Sequence, residues 1–310
     1  MDKTITDPKQ FGRVAVMMGG SSAERAISLN SGSAVLQALL RVGVEAVAMD
    51  TADSDWIDIL RAGSVDRVFN MLHGPGGEDG VLQGTLESFG IGYTGSGVLA
   101  SALSMDKLRT KQCWHGLGLP TPRWFELRSE HDLIACADAL GFPVIVKPAT
   151  EGSSIGISRA DDISELEQAW QVASQHEGAI FAEAWIAGSE YTVGILKNKP
   201  LPLIRLETPR RFYDYEAKYQ ASNTQYHCPC GLDSSTEQRV QDLAVASCQA
   251  LGVEGWGRVD IMMSEEGSPW LIEVNTVPGM TDHSLVPMAA KAYGLSFEEL
   301  VWHILETSFG

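Results

Sequence analysis

The first hundred residues alternate short apolar runs with amphipathic stretches, and few folds accept that pattern. Val14–Met18 is five apolar residues in a row, the mark of a strand covered on both faces. A Gly19-Gly20-Ser21-Ser22 turn follows, then a helical pattern from about Ala23 to Val42. A second strand is expected at Val44–Met49, a short helix around Trp56–Ala62 and a third strand at Val68–Leu72. Strands separated by helices predict a parallel sheet with helices on both faces, half of a doubly wound nucleotide-binding fold. The turn at Met18–Arg25 lacks the G-x-G-x-x-G spacing, which argues against a dinucleotide fingerprint and a nicotinamide oxidoreductase.

Two further units follow. The second begins near Ser104 with a helix through Leu117, stopped by Gly118 and Pro120. The strand Phe142–Lys147 ends on a lysine, and the loop 148–156 leads to Ile157-Ser158. A helix is expected over Ile163–His176, with Ser164 and Glu167 at capping-box spacing, then a strand at Ala179–Glu183. The third unit opens near Glu190 with a hairpin, Tyr191–Leu196 and Leu201–Leu206. The polar, aromatic stretch Thr208–Asp233 is too long for an ordinary connection and suits a lid. A helix is expected from about Thr236 to Leu251, capped by Ser235 and Gln238 and stopped by Gly252. Strands at Gly257–Met263 and Trp270–Asn275 come next, and a last helix starts at Ser296 with Glu299 as its capping partner.

Composition narrows the function. With 23 Lys+Arg against 40 Asp+Glu, the 310-residue chain carries a formal charge of −17. Nucleic-acid phosphates would be repelled, so no nucleic-acid partner is expected. An anionic ligand then needs a local cluster of cations or metal ions. The five cysteines are odd in number and include no C-x-x-C, which fits reduced thiols in a cytoplasm better than a disulfide or zinc framework. The N-terminus lacks the apolar stretch of a signal peptide, and no run approaches the roughly 20 apolar residues of a membrane span. A cytoplasmic protein without a membrane partner is expected.

The strands after residue 256 carry the most chemistry. Alternate side chains of a strand share a face. Val259 and Ile261 therefore point one way, Arg258 and Asp260 the other. Glu273 and Asn275 likewise stand opposite Ile272 and Val274. Paired as a hairpin, these strands gather two carboxylates and an amide oxygen beside an arginine. Such oxygens suit Mg²⁺; they equally suit the solvated face of an amphipathic hairpin. Lys147 and the loop Glu151–Gly156 offer a cation and small residues through which backbone N–H groups reach phosphate. Lys107 and Lys218 are further cation candidates. Glu24, at a helix start, either favours the helix dipole or holds a substrate ammonium. His73 opens the glycine-dense segment 73–80, which is either a simple turn or a substrate loop.

Read in order, GGSSAER (19–25), HGPGGEDG (73–80), YTGSG (93–97), SMDK (104–107), VIVKP with EGSS (144–154), FYDYEAKY (212–219), GWGRVD (255–260) and EVNTVPGMTDHS (273–284) resemble the bacterial D-alanine–D-alanine ligases of the ATP-grasp superfamily. The resemblance spans nearly the whole chain. It implies a three-domain ATP-grasp fold of α/β and α+β units. These are a Rossmann-like domain over 1–103, a central ATP-grasp subdomain over 104–188 and a C-terminal subdomain over 189–310 with its lid at 208–233. It implies ATP and two Mg²⁺ (or Mn²⁺), held by Asp260, Glu273 and Asn275. Lys107, Lys147 and Lys218 match the family's phosphate lysines, Glu183, Ala184 and Ile186 its adenine segment, and Glu190 its ribose carboxylate. A lysine is common where this chain has Ala184.

The same resemblance gives Glu24 the ammonium of the first D-alanine, and Arg258 with the Gly279 N–H the oxyanion. Ser284 and Leu285 match the pocket for the carboxylate of the second D-alanine. Ser153 and Tyr219 match the hydroxyl pair linking phosphate loop and lid to Glu24. His73 is an orienting or proton-handling group. The implied reaction phosphorylates one D-alanine to a D-alanyl phosphate, which the amine of a second attacks to give the dipeptide for peptidoglycan precursors. Tyr219 favours D-alanine over D-lactate as second substrate. A homodimer through the N-terminal unit is implied as well. The alternatives are a ligase for another acid–amine pair and a non-catalytic nucleotide-binding protein that kept the fold.

Overall fold

The computed structural model describes residues 5–152, 155–208 and 224–309. Three sheets organise them. The first contains β1 (Val14–Met18), β2 (Ala46–Asp50), β3 (Arg67–Asn70) and β4 (Gly92–Tyr93), all parallel, in the order β2-β1-β3-β4. The unbroken apolar run of β1 is explained by its central place. Val14, Val16 and Met18 face one core with Val35, Ala38 and Leu39 of α1 (Arg25–Arg41). Ala15 and Met17 face a second core with Leu60 of α2 (Trp56–Arg61) and Leu82 and Leu86 of α3 (Val81–Phe89). The chain leaves β1 toward one edge and β3 toward the other, so a crevice opens beyond the carboxyl ends of these two strands, where ligands of such sheets bind.

Helices α4 (Val98–Met105) and α5 (Lys107–Gly116) lead into the second sheet. Its strands are β5 (Trp124–Leu127), β6 (Val144–Pro148), β7 (Ser158–Ala160) and β8 (Ile180–Ala184), antiparallel in the order β5-β8-β6-β7. Helices α6 (Asp132–Leu140) and α7 (Ile163–Ala173) close its core through Leu133, Cys136, Leu166 and Ala169. The α7 cap differs from expectation. Asp162, not Ser164, accepts from the Glu165 N–H at 2.9 Å, and Glu165 accepts in return from the Asp161 N–H. An ionised carboxylate at the helix start answers both the open N–H groups and the dipole, which a serine hydroxyl does less well.

The third sheet runs β12-β11-β9-β13-β14, antiparallel, with β10 beside β9. Its strands are β9 (Gly188–Leu196), β10 (Lys199–Pro200), β11 (Ile204–Glu207), β12 (Gln225–His227), β13 (Trp256–Ser264) and β14 (Pro269–Asn275). The strand β12 lies inside the long expected loop; residues 209–223 of that loop lie outside the described residues. Helix α8 (Ser234–Leu251) packs Val240, Ala244 and Leu251 beneath the sheet and ends at Gly252 in the left-handed conformation. Its cap is Asp233, which accepts from the N–H groups of Ser235 and Thr236 at 3.0 and 3.1 Å, displacing the expected Ser235. Two helices finish the chain, α9 (Leu285–Tyr293) and α10 (Phe297–Glu306). The capping box of Ser296 and Glu299 forms as expected. Leu300, Val301, Ile304 and Leu305 of α10 join the core above α1, so the last helix locks the first sheet to the third.

The β13–β14 pairing carries one correction. Arg258 lies opposite Asn275 and Asp260 opposite Glu273, but Ile261 lies opposite Leu271. The register slips by one residue, so Ile272 is skipped as a bulge. Leu271 and Val274 therefore enter the core with Val259 and Ile261, while Ile272 stays half-exposed. All five cysteines are free. Among the described residues no helix is long and apolar enough to cross a membrane.

Candidate active site

The loops after β1 and β3 meet at the crevice. The Gly19 N–H donates to Ser28 Oγ at 2.8 Å, and Ser28 Oγ donates to the Met71 carbonyl at 2.6 Å. The segment after β3 is stiffened from within. Asn70 Nδ2 and Gln83 Nε2 both donate to the Gly77 carbonyl, at 2.9 and 2.8 Å, and the Gly74 N–H donates to Glu78 Oε2 at 2.7 Å. The glycines of 73–80 thus build a fixed loop rather than a slack turn.

Glu24 sits at the N-cap of α1, yet its side chain makes no capping hydrogen bond. It reaches instead between two glycines. A Cβ built on Gly74 would lie 2.9 Å from Glu24 Oε2, and one on Gly152 would lie 2.7 Å from it. The backbone comes this close only without a side chain. The dipole reading of Glu24 gives way to that of a carboxylate set between the loop after β3 and the loop after β6.

A cavity of about 280 Å³ is lined by residues that follow β1, β3 and β6, by the α4–α5 corner and by the third sheet. Glu24, His73, Lys107, Arg258, Glu273, Asn275, Gly279, Ser284 and Leu285 all line it. His73 is buried and its Nε2 has no hydrogen-bond partner among the described residues. Burial depresses its pKa to about 4, with the nearby Arg258 adding to the effect, so the ring is neutral at pH 7. Glu78, on the same wall, accepts from the Val277 N–H at 3.3 Å. Desolvation and the neighbouring Glu24 push its pKa up to about 8.

On the hairpin, Arg258 grips Asp260, Nε to Oδ1 at 2.8 Å and Nη2 to Oδ2 at 2.7 Å. Thr192 Oγ1 donates to Asp260 Oδ1 at 2.6 Å. Glu273 Oε2 lies 3.4 Å from Lys107 Nζ, which donates to the Glu151 carbonyl at 2.6 Å. Asn275 Oδ1 accepts from the Val277 N–H at 3.1 Å. Among the described residues no three His, Cys, Asp or Glu side chains stand together as a metal cluster. A metal here needs the Asn275 amide oxygen as third ligand. The set fits a hard cation: each donor is an oxygen with a lone pair left over, and Asp260 and Glu273 face each other in register.

The 279–285 segment offers N–H groups. The Gly279 N–H has no acceptor among the described residues, and a Cβ there would stand 3.1 Å from Ser284 Oγ. Ser284 caps α9 without a side-chain capping bond; its Oγ accepts from the Thr281 N–H at 2.9 Å. Ser284 and Leu285 at the start of α9 line the cavity, and the open N–H groups of a helix start suit an anion there.

The central sheet places the remaining cations and the adenine candidates. Lys147, on β6, lies 2.5 Å from Glu183 Oε1 on β8, and both are buried. The Ala184 and Trp185 N–H groups are taken by the Arg123 and Pro143 carbonyls, at 2.9 and 3.0 Å. The Ile186 N–H makes no backbone hydrogen bond among the described residues. Glu190 is half-buried on β9, between Leu206 and Met262. Ser153, Lys218 and Tyr219 lie outside the described residues. Sequence reasoning missed Lys111, which shares Glu183 with Lys147, and the cavity-wall residues Glu78, Tyr226 and His283. Lys111 had a signal, its position one helical turn after Lys107.

Known proteins are similar over the whole chain. Residues 113–306 match the family model for the D-ala D-ala ligase C-terminus, and residues 58–96 that for the N-terminus. The D-alanine–D-alanine ligase of Methylococcus capsulatus is 64% identical over 309 residues, covering 100% of each chain. That of Stutzerimonas stutzeri is 58% identical, covering 99% of this chain and 97% of its own. Among solved structures, the D-alanine–D-alanine ligase of Bacillus anthracis complexed with ATP superposes with a TM-score of 0.85 at 34% identity, covering 96% of this chain and 97% of that one. The VanG D-Ala:D-Ser ligase of Enterococcus faecalis superposes at 0.81 with 29% identity, over 96% and 99% of the two chains. The fold is thus that of the ATP-grasp ligases. Within that class, the chain belongs to the D-alanine–D-alanine ligase family.

Proposed function

We propose that this chain joins two molecules of D-alanine into D-alanyl-D-alanine at the expense of ATP, through a D-alanyl phosphate, for peptidoglycan precursors. The observation that carries this reading is the convergence of Glu24, His73, Arg258, Ser284 and Glu273 on one cavity. In this reading the units run over 1–103, 104–188 and 189–310, with the nucleotide between the last two.

A carboxylate is a poor acyl donor because its leaving group would be oxide; phosphorylation supplies a better one. Glu24 fixes the ammonium of the first D-alanine so that its carboxylate faces the nucleotide. Lys107 and Lys147, with Lys218 and Ser153 from the undescribed segments, offset the charge of the transferring phosphoryl group. Asp260, Glu273 and Asn275 would hold two Mg²⁺ (or Mn²⁺), which supply Lewis-acid neutralisation of the phosphates. Glu183, Ala184 and Ile186 border the adenine, the Ile186 N–H serving as donor, and Glu190 takes the ribose hydroxyls. Backbone donation at Ile186 does not need the lysine that commonly replaces Ala184.

The second D-alanine lays its carboxylate on Ser284, Leu285 and the start of α9. Its amine attacks the acyl phosphate as the free base. The oxyanion develops toward Arg258 and the Gly279 N–H, and phosphate departs. His73, neutral and with a free ring nitrogen, orients substrate by a hydrogen bond rather than by charge. An acyl phosphate hydrolyses in water, so the segment 208–233, with Tyr219, closes over it. A cytoplasmic homodimer completes the reading.

D-serine is the alternative second substrate, suggested by the structural likeness to the VanG D-Ala:D-Ser ligase. Phosphate release in the presence of ATP and Mg²⁺ separates the readings, with D-alanine, L-alanine, or D-alanine plus D-serine or D-lactate, and product masses recorded. Release with D-alanine alone and a dipeptide mass supports the proposal; release only when D-serine or D-lactate is added moves the second subsite to that substrate.

A further inference from the structure

Lys111 is a charged side chain beside Glu183 that the proposed reaction leaves idle, and it is entirely buried, with 0% of its side chain exposed. Its Nζ donates to Glu183 Oε2 at 2.8 Å and to Thr121 Oγ1 at 2.7 Å. Thr121 Oγ1 in turn donates to the Leu271 carbonyl at 3.0 Å. Leu271 lies on β14, two residues before Glu273. One ammonium thus ties α5, β8 and β14 together. The same helix face carries Lys107 one turn earlier, and that lysine lies 3.4 Å from Glu273 on the same strand.

The charges make the arrangement unusual. Glu183 is a single buried carboxylate held between two lysines, Lys111 on Oε2 and Lys147 on Oε1. A buried one-to-one pair would be neutral and of little use to an anion. Burying a third charged group is costly, and an apolar side chain would fill the same space without that cost. A third charge in such a place needs a counter-charge that the described protein does not supply.

We propose that Lys111 is a positioning residue for nucleotide binding: by neutralising Glu183 from behind the sheet, it leaves the charge of Lys147 available to the nucleotide phosphates. This rests on the ATP reading above. Without Lys111, the existing contact of Lys147 with Glu183 becomes a neutral pair and the phosphates lose a cation. Adenosine, which has no phosphates, loses nothing.

The test is calorimetric binding of ATP and of adenosine, without D-alanine, to the parent, Lys111→Met, Glu183→Gln and the double variant. Lys111→Met should weaken ATP by about tenfold or more while leaving adenosine near the parent value, since one full charge is withdrawn from the phosphates. In the double variant no carboxylate remains to capture Lys147, so ATP should bind within about threefold of Glu183→Gln alone. The double variant keeps the net charge of the parent cluster, one positive carried by Lys147, so it carries the test even where Lys111→Met fails to fold. Equal weakening of ATP and adenosine, unchanged ATP binding in Lys111→Met, or a further tenfold loss in the double variant would overturn the proposal. A parent that binds no ATP overturns the nucleotide reading and this inference with it; a parent that binds ATP leaves that reading standing whatever Lys111 does.

Discussion

Arg258 and Asp260, two residues apart on β13, form a two-pronged ion pair with hydrogen bonds of 2.8 and 2.7 Å, and both side chains are nearly buried. The pair joins the proposed oxyanion donor to a proposed metal ligand, so neither can shift without the other. The planar guanidinium fork is what allows this; an ammonium presents one point of charge. Arg258→Lys should therefore keep the fold and the charge but lower kcat by about a hundredfold, the usual cost of a misplaced oxyanion donor. Steady-state kinetics beside a thermal melt checks this. A kcat within a factor of two or three of the parent would free Arg258 from the oxyanion.

Glu273 faces Asp260 across the hairpin and lies 3.4 Å from Lys107 Nζ. Glu273→Gln keeps the shape and removes the charge a hard cation prefers. Turnover should fall by about a hundredfold or more, and raising Mg²⁺ should recover part of it. Titration of activity against Mg²⁺ is the measurement. Activity near the parent's at all Mg²⁺ concentrations would remove Glu273 from the metal set.

Gly152 leaves no room for a side chain, since a Cβ there would stand 2.7 Å from Glu24 Oε2 and 3.1 Å from its Oε1. Gly152→Ala should turn the Glu24 carboxylate away from the ammonium it is proposed to hold. KM for the first D-alanine should rise by about tenfold, the worth of roughly one charged hydrogen bond, with KM for ATP little changed. An unchanged KM for D-alanine would contradict the placement of Glu24.

Two groups on the cavity wall give opposite pH signatures. The Glu78 pKa is raised from 4.5 to about 8 in the fold. Its protonated form is favoured there, so its contribution is present below the ordinary value and lost as pH rises through 8. Between those limits stability should fall by at most about 1.4 kcal/mol per pH unit. Glu78→Gln should flatten that slope, which denaturant titrations at pH 6 and 8.5 would show. An unchanged slope would mean Glu78 is already ionised at neutral pH. The His73 pKa, depressed to about 4, predicts that no ionisation of this ring appears in kcat/KM above pH 5.5.

How much of this was legible in the sequence depends on how local its causes are. The parallel sheet was, because β1, sealed between two cores, has no polar position to confuse its pattern. The alternation that put Asp260 and Glu273 on one face was legible too, but not the bulge at Ile272, because a register slip depends on the partner strand. Caps were misplaced by a residue or two at Asp162 and Asp233, where serine and aspartate crowd the same helix start and geometry decides among them. Helices α3, α4, α6 and α9 went unread, being short and flanked by glycine or serine turns. Motifs marked most residues around the cavity. Lys111 could be placed on the helix face of Lys107, but its partners Glu183 and Thr121 are brought to it only by the folded chain.

In the proposed reaction a carboxylate is activated by phosphorylation and then captured by an amine. The direct measurement uses D-alanine labelled with ¹⁸O in both carboxylate oxygens, together with ATP and Mg²⁺, and follows the label by mass. The carboxylate oxygen that attacks the γ-phosphorus must leave with the phosphate. The expected products are D-alanyl-D-alanine, ADP and inorganic phosphate carrying one ¹⁸O per dipeptide formed. Dipeptide formed with unlabelled phosphate, or with AMP and pyrophosphate in place of ADP and phosphate, would contradict it.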